Sequence, residues 1–142
     1  MIRLLLVSLL TFFCAPFCRA AETISCPATV ATHQNLAAPV AGWTSMLDDT
    51  PQSLAGITFY DGAPAEKASL VYDQIKHGKG EDIATWTFVP QKDRQIWLVC
   101  SYAGTVVELS RSLPSQITTC AVTYDTQKHI AGLPPIERIA CH

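Results

Sequence analysis

Apolar and polar residues alternate with a period of two along most of this chain, and helical periodicity is nearly absent. Successive side chains of a strand point to opposite faces, so this alternation is typical of half-buried β-strands. The alternating segments are rich in Val, Ile, Thr, Tyr, Phe and Trp, which suit a pleated surface. The pattern predicts strands at residues 22–32, 54–62, 68–73, 82–89, 95–102, 105–110 and 116–125.

Turn-forming sequences separate these segments: YDGAP, HGKGED, VPQKD, LPS and GLPP. Short strands joined by turns at regular spacing predict an all-β fold, an antiparallel β-sandwich or a small barrel. Residues 64–75 admit a turn or two of helix, and we interpret their second half as strand.

Two connections are candidates for recognition, since exposed loops on a rigid β scaffold often bind partners. KHGKGED (76–82) has no apolar residue and is expected to be a solvated hairpin tip. NLAAPVAGW (35–43) lacks alternation, and we expect a long connection over the core, pinned at its end by Trp43. Both segments could equally serve as simple connections.

The first twenty residues have the layout of a secretory signal peptide: an early cation, an apolar run of about ten residues and small residues at the end. The run is too short to span a bilayer, which takes about twenty residues. We predict cleavage after Ala20, which leaves one domain, Ala21–His142. Cys14 and Cys18 each follow a bulky Phe, which disfavours a lipoprotein.

The net charge limits the classes of partner that this chain is expected to bind. The full chain carries 10 Lys and Arg against 12 Asp and Glu, and Arg3 and Arg19 leave with the predicted signal. The mature chain then has 8 basic against 12 acidic residues, a net charge of −4. An acidic balance argues against nucleic acid and against anionic membrane as partners, because both require a basic face.

Four cysteines remain after export: Cys26, Cys100, Cys120 and Cys141. An even number in an oxidising compartment predicts two disulfides. The spacings fit neither a C-x-x-C redox pair nor the paired short spacings of a zinc site, although a metal site or a reactive thiol remains an alternative.

Sequence does not decide among the three possible pairings. We favour Cys100 with Cys120, a local loop, and Cys26 with Cys141, which would join the two ends of the mature chain. If 95–102, 105–110 and 116–124 formed a plain meander, Cys100 and Cys120 would be about 9.6 Å apart, beyond the reach of a disulfide. The favoured pairing therefore requires that the middle segment not lie between them.

Aromatic residues mark the expected core and a candidate rim of a binding surface. Trp86 shares a strand face with Phe88, and the segment 95–102 is apolar on both faces, which is typical of a central strand. Three tyrosines each end a strand beside a polar turn: Tyr60, Tyr102 and Tyr124. At such a position a tyrosine commonly buries its ring and keeps its hydroxyl in contact with water.

The chain lacks the common catalytic and nucleotide-binding motifs, including G-x-S-x-G, H-E-x-x-H, the P-loop and G-x-G-x-x-G. Its adjacent acidic pairs, Asp48-Asp49 and Glu81-Asp82, lie in turn sequence, where charge is usually solvated. We therefore predict a non-catalytic protein without cofactor or metal.

The segments WLVCSYAGTVVELSRSLP (97–114) and CAVTYD (120–125), with SCPATV, GW and FYDGAP upstream, carry a resemblance. They resemble a poorly characterised family of small exported proteins of Gram-negative bacteria. Some members resemble periplasmic immunity proteins, encoded beside type VI secretion effectors, that would neutralise a peptidoglycan-targeting toxin. The resemblance implies no catalytic residue and a framework role for Trp97, Cys100, Tyr102, Thr105, Leu113, Pro114 and Cys120.

We expect a rigid binding module that blocks a cell-wall enzyme, as an immunity protein or as a lysozyme inhibitor. The acidic balance favours a basic target through electrostatic steering. The alternative is a structural or envelope-maintenance protein without inhibitory activity. The candidate partner-binding residues are His77, Lys79, Glu81, Asp82, Tyr60 and Asp61.

Overall fold

The computed structural model describes residues 24–46, 49–89 and 91–142. They form two antiparallel sheets, which confirms the predicted all-β class. The strands are β1 (Thr29–Val30), β2 (Gln52–Asp61), β3 (Ser69–Leu70), β4 (Gln74–His77), β5 (Glu81–Thr87), β6 (Ile96–Tyr102), β7 (Glu108–Ser112), β8 (Thr119–Asp125) and β9 (Ile136–Cys141).

The first sheet has the order β1-β2-β6-β7, and β3 also pairs with β2. Its centre is the antiparallel pair of β2 and β6, which runs from Leu54 opposite Tyr102 to Asp61 opposite Ile96. β6 lies between β2 and β7, as its apolar residues on both faces predict. Both faces of β6 are covered, because Leu98 and Val99 point to opposite sides of the strand and both are buried.

The second sheet has the order β4-β5-β8-β9. β4 and β5 form a hairpin, and β8 pairs with β5 along its whole length. The chain leaves the first sheet after β7 and enters the second at β8, so no meander joins β6, β7 and β8. β9 was not predicted, and the predicted strand 68–73 is only the two residues of β3.

The helical alternative within residues 64–75 is realised as a single 3-10 turn, Pro64–Glu66. The backbone N–H of Ala63 donates to Glu66 Oε1 at 3.2 Å, which closes the start of this turn. The remainder of the segment contains β3 and the start of β4, but residues 71–73 between them are not strand, so the strand interpretation of its second half is confirmed only in part.

The two sheets share one core, centred on Phe59. Its ring lies 5.0 Å from that of Trp86 and 5.3 Å from that of Phe88, so β2 and the end of β5 face each other. Trp86 and Phe88 are buried on the same side, as predicted. The largest fully buried side chains are Phe59, Leu98, Val122 and Cys120.

All four described cysteines are joined in two disulfides, but the favoured pairing was wrong. Cys26 is bonded to Cys100 and Cys120 to Cys141, with Cα–Cα distances of 5.9 and 4.1 Å. Cys120 and Cys141 are direct neighbours on β8 and β9, a strand that the sequence pattern did not reveal. Cys26 instead reaches the core face of β6 because the segment before β1 lies against that strand.

A hydrogen bond fixes this first segment. The hydroxyl of Tyr102 donates to the carbonyl of Pro27 at 3.1 Å, next to the Cys26–Cys100 disulfide. Ile24 is buried in the same core cluster. The start of the described chain is therefore held by packing, by a hydrogen bond and by a covalent bond.

The connection 35–43 is not pinned by Trp43, and that prediction was wrong. The indole is 80% exposed, because Gly42, at φ +78°, turns the chain at the surface. The backbone N–H of Trp43 donates to the carbonyl of Val40 at 3.1 Å and closes this turn. The attachment lies earlier, where Gln34 Nε2 donates to the carbonyl of Gly104 at 2.9 Å.

The predicted signal peptide, residues 1–20, lies outside the described residues. Within the described ranges, no helix has the length and apolar character needed to cross a bilayer.

Candidate protein-binding surface

The candidate residues lie at two opposite ends of the sandwich. Phe59 packs on Trp86, so the end of β2 faces the end of β5. Tyr60 and Asp61 therefore lie at the end where β5 finishes. The β4–β5 hairpin tip, where β5 begins, lies at the other end.

The turn of the β4–β5 hairpin contains fewer residues than the predicted tip, 76–82. Residues 78–80 make the turn, and His77, Glu81 and Asp82 already belong to the strands. His77 lies opposite Asp82, and its Nδ1 is 2.9 Å from Asp82 Oδ1. The tip also contacts the turn after β8, where the N–H of Thr126 donates to the carbonyl of Gly80 at 3.1 Å.

Side chains alternate along β5, which separates the two acidic residues of the hairpin. Asp82 shares the core-facing side of the strand with Ala84 and Trp86, and its side chain is 24% exposed. Glu81 lies on the opposite side and is exposed. The sequence identified both carboxylates, but it did not show that they face different surroundings.

A cleft opens between the sheets at this end, with a volume of about 270 Å³. We call it the Asp82 cleft. Its lining includes Ala55, Tyr72, Ile75, Asp82, Tyr124 and Leu133. These residues come from both sheets, from the β3–β4 connection and from the β8–β9 connection, so no single stretch of sequence predicts the cleft.

Two β-bulges shape the surroundings of the cleft. Ala55 is skipped in the register of β2 against β6, and Glu137 is skipped in that of β9 against β8. Bulges re-aim side chains and bend strands, and they are common beside binding sites. The first bulge places the small side chain of Ala55 in the cleft wall.

The two tyrosines of the cleft are held in different ways. The ring of Tyr72 contacts that of Trp86 edge to face, with 5.9 Å between the centroids. Tyr124 lies opposite Asp82 on the neighbouring strand. Burial, with a smaller repulsion from Tyr72, raises the pKa of Tyr124, so its phenol is neutral at neutral pH.

At the opposite end, Asp61 is engaged within the protein. Arg94 Nε lies 2.9 Å from Asp61 Oδ1, and Arg94 Nη1 lies 2.9 Å from Glu66 Oε2. Arg94 Nη2 also donates to the carbonyl of Asp61. One guanidinium thereby links the end of β2 to the 3-10 turn, and Tyr60 lies beside it, opposite Trp97.

Most of the predicted framework residues lie along β6 and the connections on either side of β7, and Cys120 lies on β8. Thr105 Oγ1 accepts from the N–H of Val107 at 3.1 Å and shapes the β6–β7 turn. Leu113 is buried, and its N–H donates to the carbonyl of Ile96 at 2.7 Å. The carbonyl of Pro114 accepts from the N–H of Ile117 where the chain passes to the second sheet.

Sequence reasoning missed an exposed apolar surface on the connection between β1 and β2. Its large exposed side chains are Leu36, Val40, Trp43 and Met46. The sequence pattern identifies this segment as a connection, but it does not show that these apolar side chains point outward.

Over the described ranges, no group of three or more His, Cys, Asp or Glu side chains is arranged to hold a metal ion. The arrangement offers surfaces for a protein partner: a hairpin tip, an apolar cleft with one carboxylate and an exposed apolar connection.

Comparison with known families decides the class. Residues 49–142, about two thirds of the chain, match the family model of the type VI secretion system Tli immunity proteins. The chain belongs to the Tli immunity protein family. The matched region includes β2 to β9, and therefore the second sheet, the first sheet apart from β1, and the whole Asp82 cleft.

A similar protein is known from Azospirillum brasilense, an uncharacterised 16.3 kDa protein encoded in the trpG 5′ region. It is 29% identical over 113 residues, which cover 75% of this chain and 74% of the relative. No solved structure matches this chain. Membership confirms the suspected resemblance to immunity proteins and implies a protein effector as the partner.

Proposed function

We propose that this protein is a periplasmic immunity protein that binds a type VI effector directed at the cell wall and blocks it. The observation that carries the proposal is the family match over residues 49–142. An immunity protein acts by binding, so it needs a rigid surface and no catalytic group of its own.

The scaffold supports a binding role. One disulfide joins the segment before β1 to β6, the other joins β8 to β9, and a shared aromatic core packs the two sheets together. A partner would therefore meet a surface that is already ordered. Pre-ordering lowers the entropy that is lost on binding and thereby strengthens the complex.

Two features support the periplasm as the site of action. Residues 1–20 have the pattern of a secretory signal peptide. Disulfides persist in oxidising compartments, and the bacterial periplasm is one of them. A toxin that attacks peptidoglycan acts in the same compartment, so inhibitor and target would meet there.

Growth protection tests the proposal. A candidate type VI effector, chosen from the reading frames next to this gene, is exported to the periplasm of a susceptible host, together with either the full chain or a chain that starts at Ala21. We expect the full chain to restore growth and the shortened chain, retained in the cytoplasm, to give no protection.

The two chains share the same predicted mature sequence, so they differ only in export and in the disulfide formation that export permits. Equal protection by both would contradict the periplasmic assignment. Lysis unaffected by either chain, with the mature protein detected in the periplasm, would contradict the immunity function. Inhibition of lysozyme by the purified protein in place of the effector would favour the lysozyme-inhibitor alternative.

A further inference from the structure

We propose that the Asp82 cleft receives one long cationic side chain, arginine or lysine, from the protein partner. The inference rests on the proposed function and specifies how the partner is recognised. Four features support it: the size of the cleft, its apolar walls, its carboxylate and the two tyrosine rings in its lining.

The size favours a single side chain. The cleft has a volume of about 270 Å³, below the roughly 300–1,000 Å³ of pockets that hold drug-sized ligands. Its walls are mainly apolar, with Ile75 on one strand and Leu133 on the β8–β9 connection. Arginine and lysine have an aliphatic stem that packs on such walls and a charged end that needs a polar partner.

The charge decides which end group is accepted. Asp82 is the one formally charged residue among those that line the cleft in the described part of the chain. Its Oδ1 is engaged by His77 Nδ1 at 2.9 Å, which fixes the carboxylate. A carboxylate accepts several hydrogen bonds on its two oxygens, so Oδ2 can accept from a guanidinium or an ammonium group.

The tyrosine rings reinforce this preference. Tyr72 and Tyr124 both line the cleft, and Tyr72 is oriented by its contact with Trp86. Aromatic faces attract cations within about 6 Å of the ring centroid. The phenol of Tyr124 is neutral at neutral pH, so it does not alter the net charge of the cleft.

Other occupants are less favourable. An acidic side chain would be repelled by Asp82. A purely apolar side chain would remove water from a carboxylate that is already three-quarters buried without giving it a new partner, and burying a charge without compensation is costly. A cation provides that compensation.

A peptide pair tests the preference without the effector. The oxidised protein, labelled with ¹⁵N, is titrated with Ac-Gly-Ala-Arg-Ala-Gly-amide and with the same peptide carrying citrulline, which is neutral and of equal shape. We expect saturable shifts at Ile75, Ala84 and Leu133. Citrulline binding should be weaker by at least about tenfold, because its neutral ureido group keeps N–H donors but loses the positive charge that strengthens a hydrogen bond to a carboxylate. Equal binding of the two peptides, or shifts away from the cleft, would overturn the proposal.

A matched pair of variants then locates the charge. Asp82→Asn keeps the shape of the side chain and removes its charge, whereas Glu81→Gln removes a neighbouring charge on the opposite face of β5. We expect D82N to reduce arginine-peptide binding to the citrulline level and E81Q to retain it. An equal loss in both variants would show that general acidity, and not the cleft, attracts the peptide.

Binding and inhibition of the effector by the wild type and the two variants distinguish this inference from the proposed function. If D82N weakens effector binding at least about tenfold and E81Q does not, the cleft is part of the interface. If the wild type blocks the effector and D82N blocks it equally well, the cleft proposal fails and the immunity function stands. If the arginine peptide binds at Asp82 but the wild type never binds the effector, the immunity function fails, and so does the assignment of a partner to the cleft.

Discussion

At the residue scale, Arg94 and Gly62 explain why Asp61, one of the predicted partner-binding residues, has a structural role. Arg94 contacts both Asp61 and Glu66, and its guanidinium occupies the space where a side chain at Gly62 would lie. A Cβ at Gly62 would come within 2.8 Å of Arg94 Cζ. Asp61 therefore stabilises the end of β2, whereas Asp82 at the other end faces a cleft.

Replacing Gly62 by Ala tests this packing. Gly62 has φ +94°, so alanine there would both strain the left-handed backbone and displace Arg94. Gly132 has φ +82°, and a Cβ added there would have no neighbouring atom within 4 Å, so Gly132→Ala strains the backbone alone. We expect losses of about 1–2 kcal/mol for G132A and about 2–4 kcal/mol for G62A, measured by urea unfolding. Equal losses would contradict the role of Arg94.

At the element scale, local alternation identified most strands but could not assign them to sheets. The segments 95–102 and 116–125 look alike in sequence, yet β6 and β8 belong to different sheets. β9 was missed because the bulge at Glu137 puts its apolar residues Ile136 and Ile139 three positions apart, which hides the period of two. Without β9, the neighbour of Cys120 could not be recognised.

At the same scale, we predict how much stability each disulfide contributes. Replacing both cysteines of one pair by Ala should cost roughly 4.5 kcal/mol for Cys26–Cys100 and roughly 3.4 kcal/mol for Cys120–Cys141, because the longer loop restrains the unfolded chain more. The sequence separations are 74 and 21 residues. Urea unfolding of the two double variants measures the difference.

Peptide mapping of the unreduced protein checks the pairing itself. Trypsin cuts after Arg94, Arg111, Lys128 and Arg138, so each described cysteine falls on a separate peptide. We expect the peptide 139–142 to be linked to 112–128. A link between 95–111 and 112–128 would instead support the pairing favoured by the sequence pattern.

At the scale of the whole molecule, sequence predicted the class of fold, two disulfides and a resemblance to immunity proteins, and the structure and the family match support all three. The Asp82 cleft could not be predicted, since its lining comes from distant segments that meet only after the sheets pack. His77 and Asp82 were named as candidates from the charged hairpin, but their pairing across it depends on strand register.

The measurement that tests the central claim most directly is calorimetric titration of the purified, oxidised protein into the candidate type VI effector used in the growth test. We predict saturable binding with one immunity protein per effector and loss of effector activity at the same ratio. Absence of binding at concentrations where the effector remains active and both proteins are folded would contradict the account.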